Sequence, residues 1–325
     1  MGLEEKKEES QSYKDFWENV GGTYESALCM MDGSPNDEVL NLTGEYTSKR
    51  IARALMLDQR DRIFELGCGV GRLGAFIAPL CFEWYGFDIS ESIVRHARER
   101  MKTFQNVNFR VLEKTELTGV PENHFDKGYS HAVFLHMDKE DVFLYLREVY
   151  RVLKPGGLFY FDTWNLANEV GWERWLWEVE AWGQSDQSNR KHVSRNQFSV
   201  PQEIRIYVEK ARFSEIFCLE GSFWIQALAM KPTPGEPERE KVELIRKQIY
   251  PHLSKIGIPH TLNVLFRNHL QLIKGSMSPL KFYDLIQGME EDEEVRLYRN
   301  WLKGVWKHRQ NEWGSYPGET KNPLR

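Results

Sequence analysis

The sequence predicts an α/β protein built on one parallel sheet, and two observations support this. Between residues 62 and 163, short apolar runs alternate with segments of helical periodicity, a pattern typical of parallel strands covered by helices on both faces. A glycine-rich turn follows the first run directly and opens a helix. Ligands of open α/β sheets bind at such strand ends, so this edge is the candidate site.

The strands and the main helices follow from apolar runs and turn residues. The predicted strands of the parallel region are residues 63–66, 84–87, 107–112, 128–133 and 158–161. A helix over 139–153 is predicted to end at Lys154-Pro155-Gly156-Gly157, because proline and glycine prevent its continuation. Two further strands, 216–220 and 223–230, are predicted around a turn at Gly221.

The flanking segments are helical in pattern. The predicted helices are residues 13–20, a stretch from about Thr47 to Leu55, 170–183 and 201–211, with an exposed polar loop at 184–192. The proline- and glycine-rich residues 231–237 predict a boundary, followed by helices without a strand signal. We therefore expect two parts: residues 1–231, with a core at 58–231, and a helical extension at 232–325.

Composition excludes several functional classes. The 43 basic and 48 acidic residues give a formal charge of −5, so no overall field favours nucleic acid or an anionic membrane as partner. The four cysteines are scattered without a CxxC pair, which indicates neither a disulfide framework nor a zinc site, and no metal is expected. The first residues are charged, and no run of about 18 apolar residues occurs. We expect a cytoplasmic protein, as a monomer or homodimer.

The strongest motif is Glu65-Leu-Gly67-Cys-Gly69-Val-Gly71. A dinucleotide fingerprint would need glycine where Arg72 stands, and no Gly-Lys-Ser/Thr follows as in a phosphate-binding loop. The Glu65 carboxylate would repel a pyrophosphate, but it would attract the ammonium of an amino-acid group.

A second acidic residue indicates the rest of the ligand. Asp88 ends the second predicted strand, 23 residues after Glu65, where a carboxylate accepts both hydroxyls of an adenosine ribose. The third strand ends at Glu113-Lys114, near the expected adenine position, and the fourth runs into Ser130. S-adenosylmethionine carries an ammonium and a sulfonium and lacks phosphate, so it is the predicted cofactor.

Residues from about 61 to 164 resemble class I S-adenosylmethionine-dependent methyltransferases of the type 11, or UbiE-like, kind. The resemblance lies in ELGCGVGRLG, GFDIS, FDKGYSHAVFLHM and LREVYRVLKPGGLFYFDTW. It implies a Rossmann-like seven-stranded sheet whose last strand is antiparallel, with S-adenosyl-L-homocysteine as the product. The positions implied as cofactor contacts are Glu65, Gly67, Cys68, Gly69, Gly71, Asp88, Ile89, Glu113, Lys114 and Ser130. Many relatives have Gly-Asp-Ala where this chain has Leu112-Glu113-Lys114.

Methyl transfer is an in-line displacement, so the protein must align the acceptor and exclude water. A hydroxyl acceptor also needs a general base, whereas a neutral amine requires none. The candidate catalytic residues near the strand ends are His131, His136 and Asp162, with Asp138 as a further candidate. The sequence thus predicts a small-molecule O- or N-methyltransferase.

Acceptor-binding residues are predicted on two segments. Trp164 and Asn165 stand directly beyond the fifth strand, and Trp164 is expected to line the acceptor pocket. Trp17 and Tyr24 belong to an N-terminal helical region that either closes over the site as a lid or simply packs on the core. The tryptophans at helical spacing in 172–182 are more typical of a core than of a ligand platform.

The extension suggests two alternative functions. From Lys231 onward there are 16 basic and 12 acidic residues, a local charge of about +4. The last helix carries Leu297, Trp301 and Val305 on one face, and Arg299, Lys303 and Lys307 on another. A solvated basic face is the simplest interpretation, but an RNA or protein methyltransferase would use it for binding. A non-catalytic cofactor-binding scaffold is the other alternative.

Overall fold

The computed structural model describes residues 12–186 and 195–317. Its strands are β1 Arg62–Leu66, β2 Glu83–Asp88, β3 Val107–Val111, β4 Phe125–Ser130, β5 Leu153–Asn165, β6 Phe198–Ser199, β7 Ser214–Leu219 and β8 Trp224–Met230. They lie in the order β3-β2-β1-β4-β5-β8-β7, and the short β6 pairs with the end of β5. Strand β8 is antiparallel to both β5 and β7, whereas β1 to β5 pair in parallel. The predicted mostly parallel sheet with an antiparallel last strand is confirmed.

Helices cover the sheet and continue beyond it. They are α1 Tyr13–Val20, α2 Tyr24–Asp32, α3 Asp37–Leu55, α4 Gly74–Ile77, α5 Glu91–Arg100, α6 Lys139–Val152, α7 Glu169–Trp182, α8 Pro201–Lys210, α9 Glu238–Ile249, α10 Leu253–Ile256, α11 His260–Lys274, α12 Pro279–Gln287, α13 Glu293–His308 and α14 Gln310–Trp313. Short 3-10 turns lie at Ala78–Leu80, Phe134–His136 and Tyr250–His252. None of the described helices is long and apolar enough to cross a membrane.

Alternation along the central strand builds two apolar layers. Phe64 and Leu66 belong to the buried cluster beneath α6 and α8, whereas Ile63 belongs to the cluster formed with α3, α4 and α9. Both faces of β1 are therefore buried, which explains its nearly continuous apolar sequence. Each fully buried aromatic side chain of these layers contributes about 1.5–3 kcal/mol to stability.

The sheet positions the site at its centre. The chain places β2 on one side of β1 and β4 on the other, so the direction of winding reverses between β1 and β4. The connections that follow β1 and β4 lead to helices on opposite faces of the sheet, and a crevice forms between them outside its carboxyl edge.

Several predicted boundaries are wrong, three of them for a clear physical reason. The fourth strand ends at Ser130 rather than continuing to Val133, because Ala132 adopts a left-handed φ of 57° that turns the chain. Residue 153, predicted to end the helix, and residues 154–157, predicted as a turn, already belong to β5. A register shift between Phe125 and Lys127 lets this strand absorb the Pro-Gly-Gly residues as a bulge. Helix α3 begins at Asp37, well before Thr47, because the Asn36 side chain caps it.

The C-terminal helices pack against the N-terminal half of the chain. Val39 and Tyr46 of α3 share one apolar cluster with Phe282 of α12 and Val295 of α13. Part of the loop predicted at 184–192 lies outside the described residues, and so does the polar start of the chain. The division of the chain at residue 231 stays a prediction.

Candidate functional site

The turn after β1 exposes bare backbone. Gly67 and Gly69 have φ values of 74° and 53°, a left-handed conformation that favours glycine. The amide groups of Gly67 and Cys68 donate hydrogen bonds to the Phe87 carbonyl, which holds the turn against the end of β2. A Cβ at Gly67 would lie 2.3 Å from the Val133 side chain. The sequence therefore needs glycine here, both for the backbone and for the close packing.

A cavity of about 370 Å³ opens above this turn, within the usual size range of ligand pockets, about 300–1,000 Å³. It lies at the carboxyl ends of β1 to β4 and beneath α1. Its lining residues are Ser12, Tyr13, Lys14, Trp17, Met30, Met31, Glu65, Leu66, Gly67, Cys68, Gly69, Arg72, Leu73, Asp88, Ile89, Ile93, Leu112, Glu113, Lys114, Thr115, His131, Ala132, Val133, His136, Met137, Asp141 and Tyr145.

Glu65 presents a buried carboxyl group to this cavity. Its Oε2 accepts a hydrogen bond from the Tyr129 hydroxyl at 2.8 Å, and that hydroxyl accepts one from the Trp84 indole at 3.0 Å. Burial raises the pKa of Glu65 to about 8. A cation entering the cavity would offset this desolvation and favour the ionised form.

Arg72 supplies the opposite charge in the same cavity. Its Nη1 lies 3.9 Å from Asp32 Oδ1 and 3.4 Å from Thr43 Oγ1, so its existing contacts are long. The two lining groups, Glu65 and Arg72, complement the ammonium and the carboxylate of a zwitterionic amino acid.

Asp88 is oriented by backbone amides at the end of β2. Its Oδ2 accepts the Gly69 amide hydrogen at 2.9 Å, and its Oδ1 accepts that of Ser90 at 3.1 Å. Burial raises the pKa of Asp88. Each carboxylate oxygen keeps a further lone pair for a hydroxyl donor, which is the geometry that a ribose diol requires.

The wall of the cavity beyond β3 is formed by loop and helix residues. Tyr145 of α6 donates a hydrogen bond to the Lys114 carbonyl at 3.4 Å, and Thr115 donates one to Asp141 at 2.9 Å. Glu113 is exposed and pairs with Lys14 of α1 at 3.6 Å. Ile89 and Leu112, which follow the ends of β2 and β3, add apolar side chains to the lining beside these polar groups.

Two histidines follow β4. The Nδ1 of His131 lies 2.5 Å from Asp162 Oδ2, and the Ala132 amide donates to Asp162 Oδ1 at 2.7 Å. His136 contacts the Trp17 ring edge to face, with centroids 5.0 Å apart. Burial lowers the pKa of His136 to about 4, so its imidazole is neutral at physiological pH.

Helix α1 lies across the mouth of the cavity. The carboxylate of Glu18 accepts hydrogen bonds from the Ser90 hydroxyl at 2.6 Å and from the Ser92 amide at 3.2 Å. The Ser92 hydroxyl donates to the Glu18 carbonyl, and His96 contacts the Gly21 carbonyl. The N-terminus of α5 therefore holds α1 in place over the site.

The structure brings many of the predicted residues to the cavity. Those that line it are Trp17, Glu65, Gly67, Cys68, Gly69, Asp88, Ile89, Glu113, Lys114, His131 and His136. Asp162 reaches it through His131. Gly71 and Ser130 do not line it, because Gly71 packs beneath Met101 and the Ser130 hydroxyl donates to the Leu66 carbonyl.

The predicted acceptor residues beyond β5 lie elsewhere. Trp164 is 6% exposed and stacks on Trp224, with ring centroids 5.0 Å apart. The side-chain amide of Asn165 donates hydrogen bonds to the carbonyls of Glu220 and Ser222. Strand β5 is long enough to carry both residues into the core that joins the sheet to the C-terminal helices. Tyr24 also lies outside the lining, and its hydroxyl donates to Asp37 at 2.7 Å.

Sequence reasoning missed several lining residues. Met30 and Met31 come from α2, which lies more than 30 positions before the glycine motif, and no local pattern links the two segments. Arg72 could have been found, because it directly follows the last glycine of the motif. In the basic face of α13, Arg299 is paired with Glu291, whereas Lys303 and Lys307 are exposed.

Comparisons with known proteins identify the central part of the chain. A family model described as a methyltransferase domain matches residues 63–157. The chain contains a class I S-adenosylmethionine-dependent methyltransferase domain. The match with YqeM of Bacillus subtilis, named as a methyltransferase, is 34% identical over 114 residues and covers 33% of this chain and 44% of that protein. The resemblance found in the sequence of this methyltransferase domain is confirmed.

Two further comparisons cover a larger part of the chain than residues 63–157. Phosphoethanolamine N-methyltransferase of Plasmodium falciparum is 26% identical over 134 residues, covering 40% of this chain and 49% of that protein. The chain thus matches less than half the length of either curated relative. The crystal structure of the [4+2]-cyclase SpnF is 16% identical with a TM-score of 0.52, covering 69% of this chain and 98% of SpnF. This last likeness shows the fold of the methyltransferase domain alone.

The cavity fits S-adenosylmethionine, the cofactor of this family. Two carboxyl groups, one guanidinium and a glycine-rich turn line the same cavity, and their charges are opposite in sign or complementary in hydrogen bonding to the ammonium, carboxylate and ribose of this cofactor. Among the described residues there is no group of three or more histidine, cysteine, aspartate or glutamate side chains able to hold a metal ion.

Proposed function

We propose that this chain is an S-adenosylmethionine-dependent methyltransferase that transfers a methyl group to an oxygen or nitrogen of a small molecule by in-line displacement. The observation that carries the proposal is a single cavity that joins Glu65, Asp88 and the glycine-rich Gly67–Gly69 turn. Neither a pyrophosphate nor a neutral nucleoside would account for the buried acid at Glu65.

Each part of the cofactor would have its own group on the protein. Glu65 would bind the ammonium and Arg72 the carboxylate, each in a charge-assisted hydrogen bond. Asp88 would accept the two ribose hydroxyls, and Ile89 with Leu112 would contact the adenine. The bound cofactor supplies an electrophilic methyl group on a sulfonium.

The remaining residues position the acceptor and exclude water. Trp17 of α1, Met30 and Met31 of α2 and Val133 are apolar residues in the lining of the same cavity. Exclusion of water keeps the acceptor from being solvated. These residues themselves hold the acceptor close to the methyl carbon. Because α1 must move to admit ligands, we expect it to act as a lid.

Two observations support a small acceptor. The cavity is about 370 Å³ and is covered by α1, which leaves little room for a polymer once the cofactor is bound. The relative from Plasmodium falciparum is named for phosphoethanolamine, a small amine. Of the basic residues on the face of α13 that carries Arg299, Lys303 and Lys307, Arg299 is already paired with Glu291, which weakens the RNA alternative.

Calorimetry and labelled transfer together test the proposal. The full chain should bind S-adenosylmethionine and S-adenosylhomocysteine and should not bind NADH. Incubation with methyl-labelled cofactor and a low-molecular-weight metabolite extract should give labelled products, whereas total RNA or denatured protein should remain unlabelled. Labelled RNA or protein would favour the macromolecular alternative. Cofactor binding without any transfer would indicate a scaffold.

A further inference from the structure

His131 is held in one orientation by Asp162. The Asp162 side chain is 2% exposed, and its two oxygens have separate partners, the Nδ1 of His131 at 2.5 Å and the Ala132 amide at 2.7 Å. His131 lines the cavity, and the centroid of its ring lies 5.8 Å from that of the Trp224 ring. The buried Asp162 carboxylate thus fixes both the His131 ring and the backbone at Ala132.

The backbone at this point is strained in a way that serves the same arrangement. Ala132 has a φ of 57°, a conformation that residues other than glycine rarely adopt. Such strain persists where surrounding contacts maintain it, and it concentrates at functional sites. Here the hydrogen bond from the Ala132 amide to Asp162 maintains it. The turn directs the chain away from the sheet and leaves His131 at the cavity wall.

The pairing selects one tautomer of the imidazole. An ionised carboxylate only accepts hydrogen bonds, so the proton of a neutral His131 must lie on Nδ1. The lone pair is then on Nε2, which has no hydrogen-bond partner among residues 12–186 and 195–317. Asp162 would also stabilise the positive charge that develops when Nε2 takes a proton, as in a Ser-His-Asp triad.

The other candidate bases are less suited to this role. His136 is neutral, but its pKa of about 4 makes it a weak proton acceptor. Asp138 is exposed at the start of α6 and does not line the cavity. Only His131 among the three combines a place in the lining with a carboxylate partner.

We propose that His131 is the general base of the reaction, that Asp162 is its positioning residue, and that the acceptor is a hydroxyl group of an uncharged, largely apolar small molecule. This inference rests on the proposed function. The acceptor oxygen forms a bond to the methyl carbon as the carbon–sulfur bond breaks and its electron pair stays on sulfur. The hydroxyl proton passes to Nε2 of His131 and then to solvent.

The acceptor class follows from the charges and the apolar side chains of the cavity that His131 lines. A hydroxyl must lose its proton as the new bond forms, whereas a neutral amine has a free lone pair and needs no such base. Trp17, Met30, Met31 and Val133 provide an apolar surface. The cations of the lining already lie near carboxylates: Arg72 near Asp32, Lys14 near Glu113 and Lys114 near Glu116.

Two variants separate the base from its positioning residue. His131→Asn places an amide near the Nδ1 position, so it retains a donor to Asp162 while removing Nε2. In Asp162→Asn the carbonyl is expected to stay on the Ala132 amide, and the NH₂ group then faces Nδ1. The imidazole would have to accept there and carry its proton on Nε2, which is the wrong tautomer for a base.

The first measurement is nitrogen NMR of the full chain, labelled at histidine and bound to S-adenosylhomocysteine, with His131 assigned from the His131→Asn spectrum. We expect a protonated Nδ1 and an unprotonated Nε2 in the wild type, and the reverse in Asp162→Asn. A purely structural Asp162 would leave the tautomer unchanged. A wild-type Nε2–H tautomer would overturn the proposal.

The second measurement uses cofactor carrying a ¹³C-methyl group with a metabolite extract, and the products are identified by carbon–proton correlation NMR. We expect methoxy signals from the wild type and a rate at least about 100-fold lower in both variants, with unchanged calorimetric affinity for S-adenosylhomocysteine. Methyl groups on nitrogen, sulfur or carbon, or full activity in His131→Asn, would overturn this inference alone. A wild type that binds cofactor and methylates nothing would overturn the proposed function as well.

Discussion

Glu65 and Asp88 end neighbouring strands, and burial raises the pKa of both carboxyl groups. The consequences differ because their polar partners differ. Asp88 accepts two backbone amide hydrogen bonds, which support its ionised form, whereas Glu65 has the neutral hydroxyl of Tyr129. We therefore expect Glu65, with its pKa of about 8, to be the group whose protonation changes when the cofactor binds.

Cofactor binding should become tighter with rising pH. The free protein holds a proton on Glu65 below about pH 8, and an ammonium ligand requires the ionised carboxylate. Binding therefore releases that proton, and affinity should rise by up to about tenfold per pH unit below the pKa. Calorimetry with S-adenosylhomocysteine, repeated in buffers of different ionisation enthalpy, measures both the affinity and the released proton. In Glu65→Gln the pH dependence should disappear; equal slopes in the two proteins would show that another group titrates.

Asp88 should contribute mainly through its ionised oxygens. Asp88→Asn keeps the size of the side chain but exchanges one acceptor for a donor, so S-adenosylhomocysteine should bind about 10- to 100-fold more weakly. The matched control is Asp58→Asn. Asp58 precedes β1, at the edge of the sheet opposite to the cavity, and pairs with the exposed Arg60. Equal affinities in the two variants would remove Asp88 from the ribose site.

The sequence was sufficient to predict that these two acids lie together, because the carboxyl ends of parallel strands meet at one edge of a sheet. It was not sufficient for Trp164. That residue also follows a strand, but β5 runs past its neighbours, so its last side chains enter the core below α11 rather than the cavity. The length of a strand depends on its partners, which local sequence does not reveal.

At the scale of elements, the Glu18 side chain contributes several of the hydrogen bonds that hold α1 over the cavity. Glu18 accepts hydrogen bonds from the first residues of α5, whose N-terminal dipole favours a negative charge. Trp17, one residue earlier, reaches the cavity and contacts His136. The same helix therefore carries Glu18, which binds the start of α5, next to Trp17, which lines the cavity.

Loss of the Glu18 contacts with the start of α5 should accelerate the release of S-adenosylhomocysteine. Glu18→Ala removes contacts of the capping type, worth about 1–2 kcal/mol, so S-adenosylhomocysteine should dissociate about 5- to 30-fold faster. Stopped-flow displacement measures the rate, and hydrogen exchange should show weaker protection of α1. Asn19→Ala, an exposed neighbour on the same helix, provides the control. An unchanged dissociation rate in Glu18→Ala would mean that α1 does not gate the site.

Element prediction succeeded where periodicity was strong. The amphipathic pattern of α1 and the apolar runs of the sheet gave helices and strands at nearly the predicted positions. Helix α2 was missed because its apolar residues are not confined to one face, since Ala27 and Leu28 are buried while Met30 and Met31 border the cavity. Tertiary contacts, rather than local periodicity, select its orientation.

At the scale of the whole molecule, α3 lies between the glycine-rich turn after β1 and the C-terminal helices. A Cβ at Gly44 would lie 2.8 Å from the Arg72 carbonyl, and a Cβ at Gly304 of α13 would lie 2.5 Å from Val39. Helix α3 is thus in close contact with the glycine motif on one side and with α13 on the other. The C-terminal helices support the site without lining it, which explains why their role was not apparent from sequence.

A buried polar cluster secures this junction. The Glu294 carboxylate of α13 accepts hydrogen bonds from Arg50 and from the Tyr46 hydroxyl, both at 2.7 Å, and Arg50 also donates to the Gly257 carbonyl. The Arg50 and Glu294 side chains are 10% and 9% exposed. Removing one partner would leave the other charge buried and unpaired, which is far more costly than the loss of a surface ion pair.

Glu294→Ala should therefore lower the free energy of unfolding by about 3–5 kcal/mol, as measured by urea denaturation followed through tryptophan fluorescence. Glu293→Ala, the exposed neighbour at the start of the same helix, should change it by less than about 0.5 kcal/mol. If the C-terminal helices and the sheet form one cooperative unit, the transition stays single and shifts as a whole. An additional early transition confined to Glu294→Ala would instead show that residues beyond 231 unfold separately. A stability equal to that of Glu293→Ala would contradict the role of the cluster.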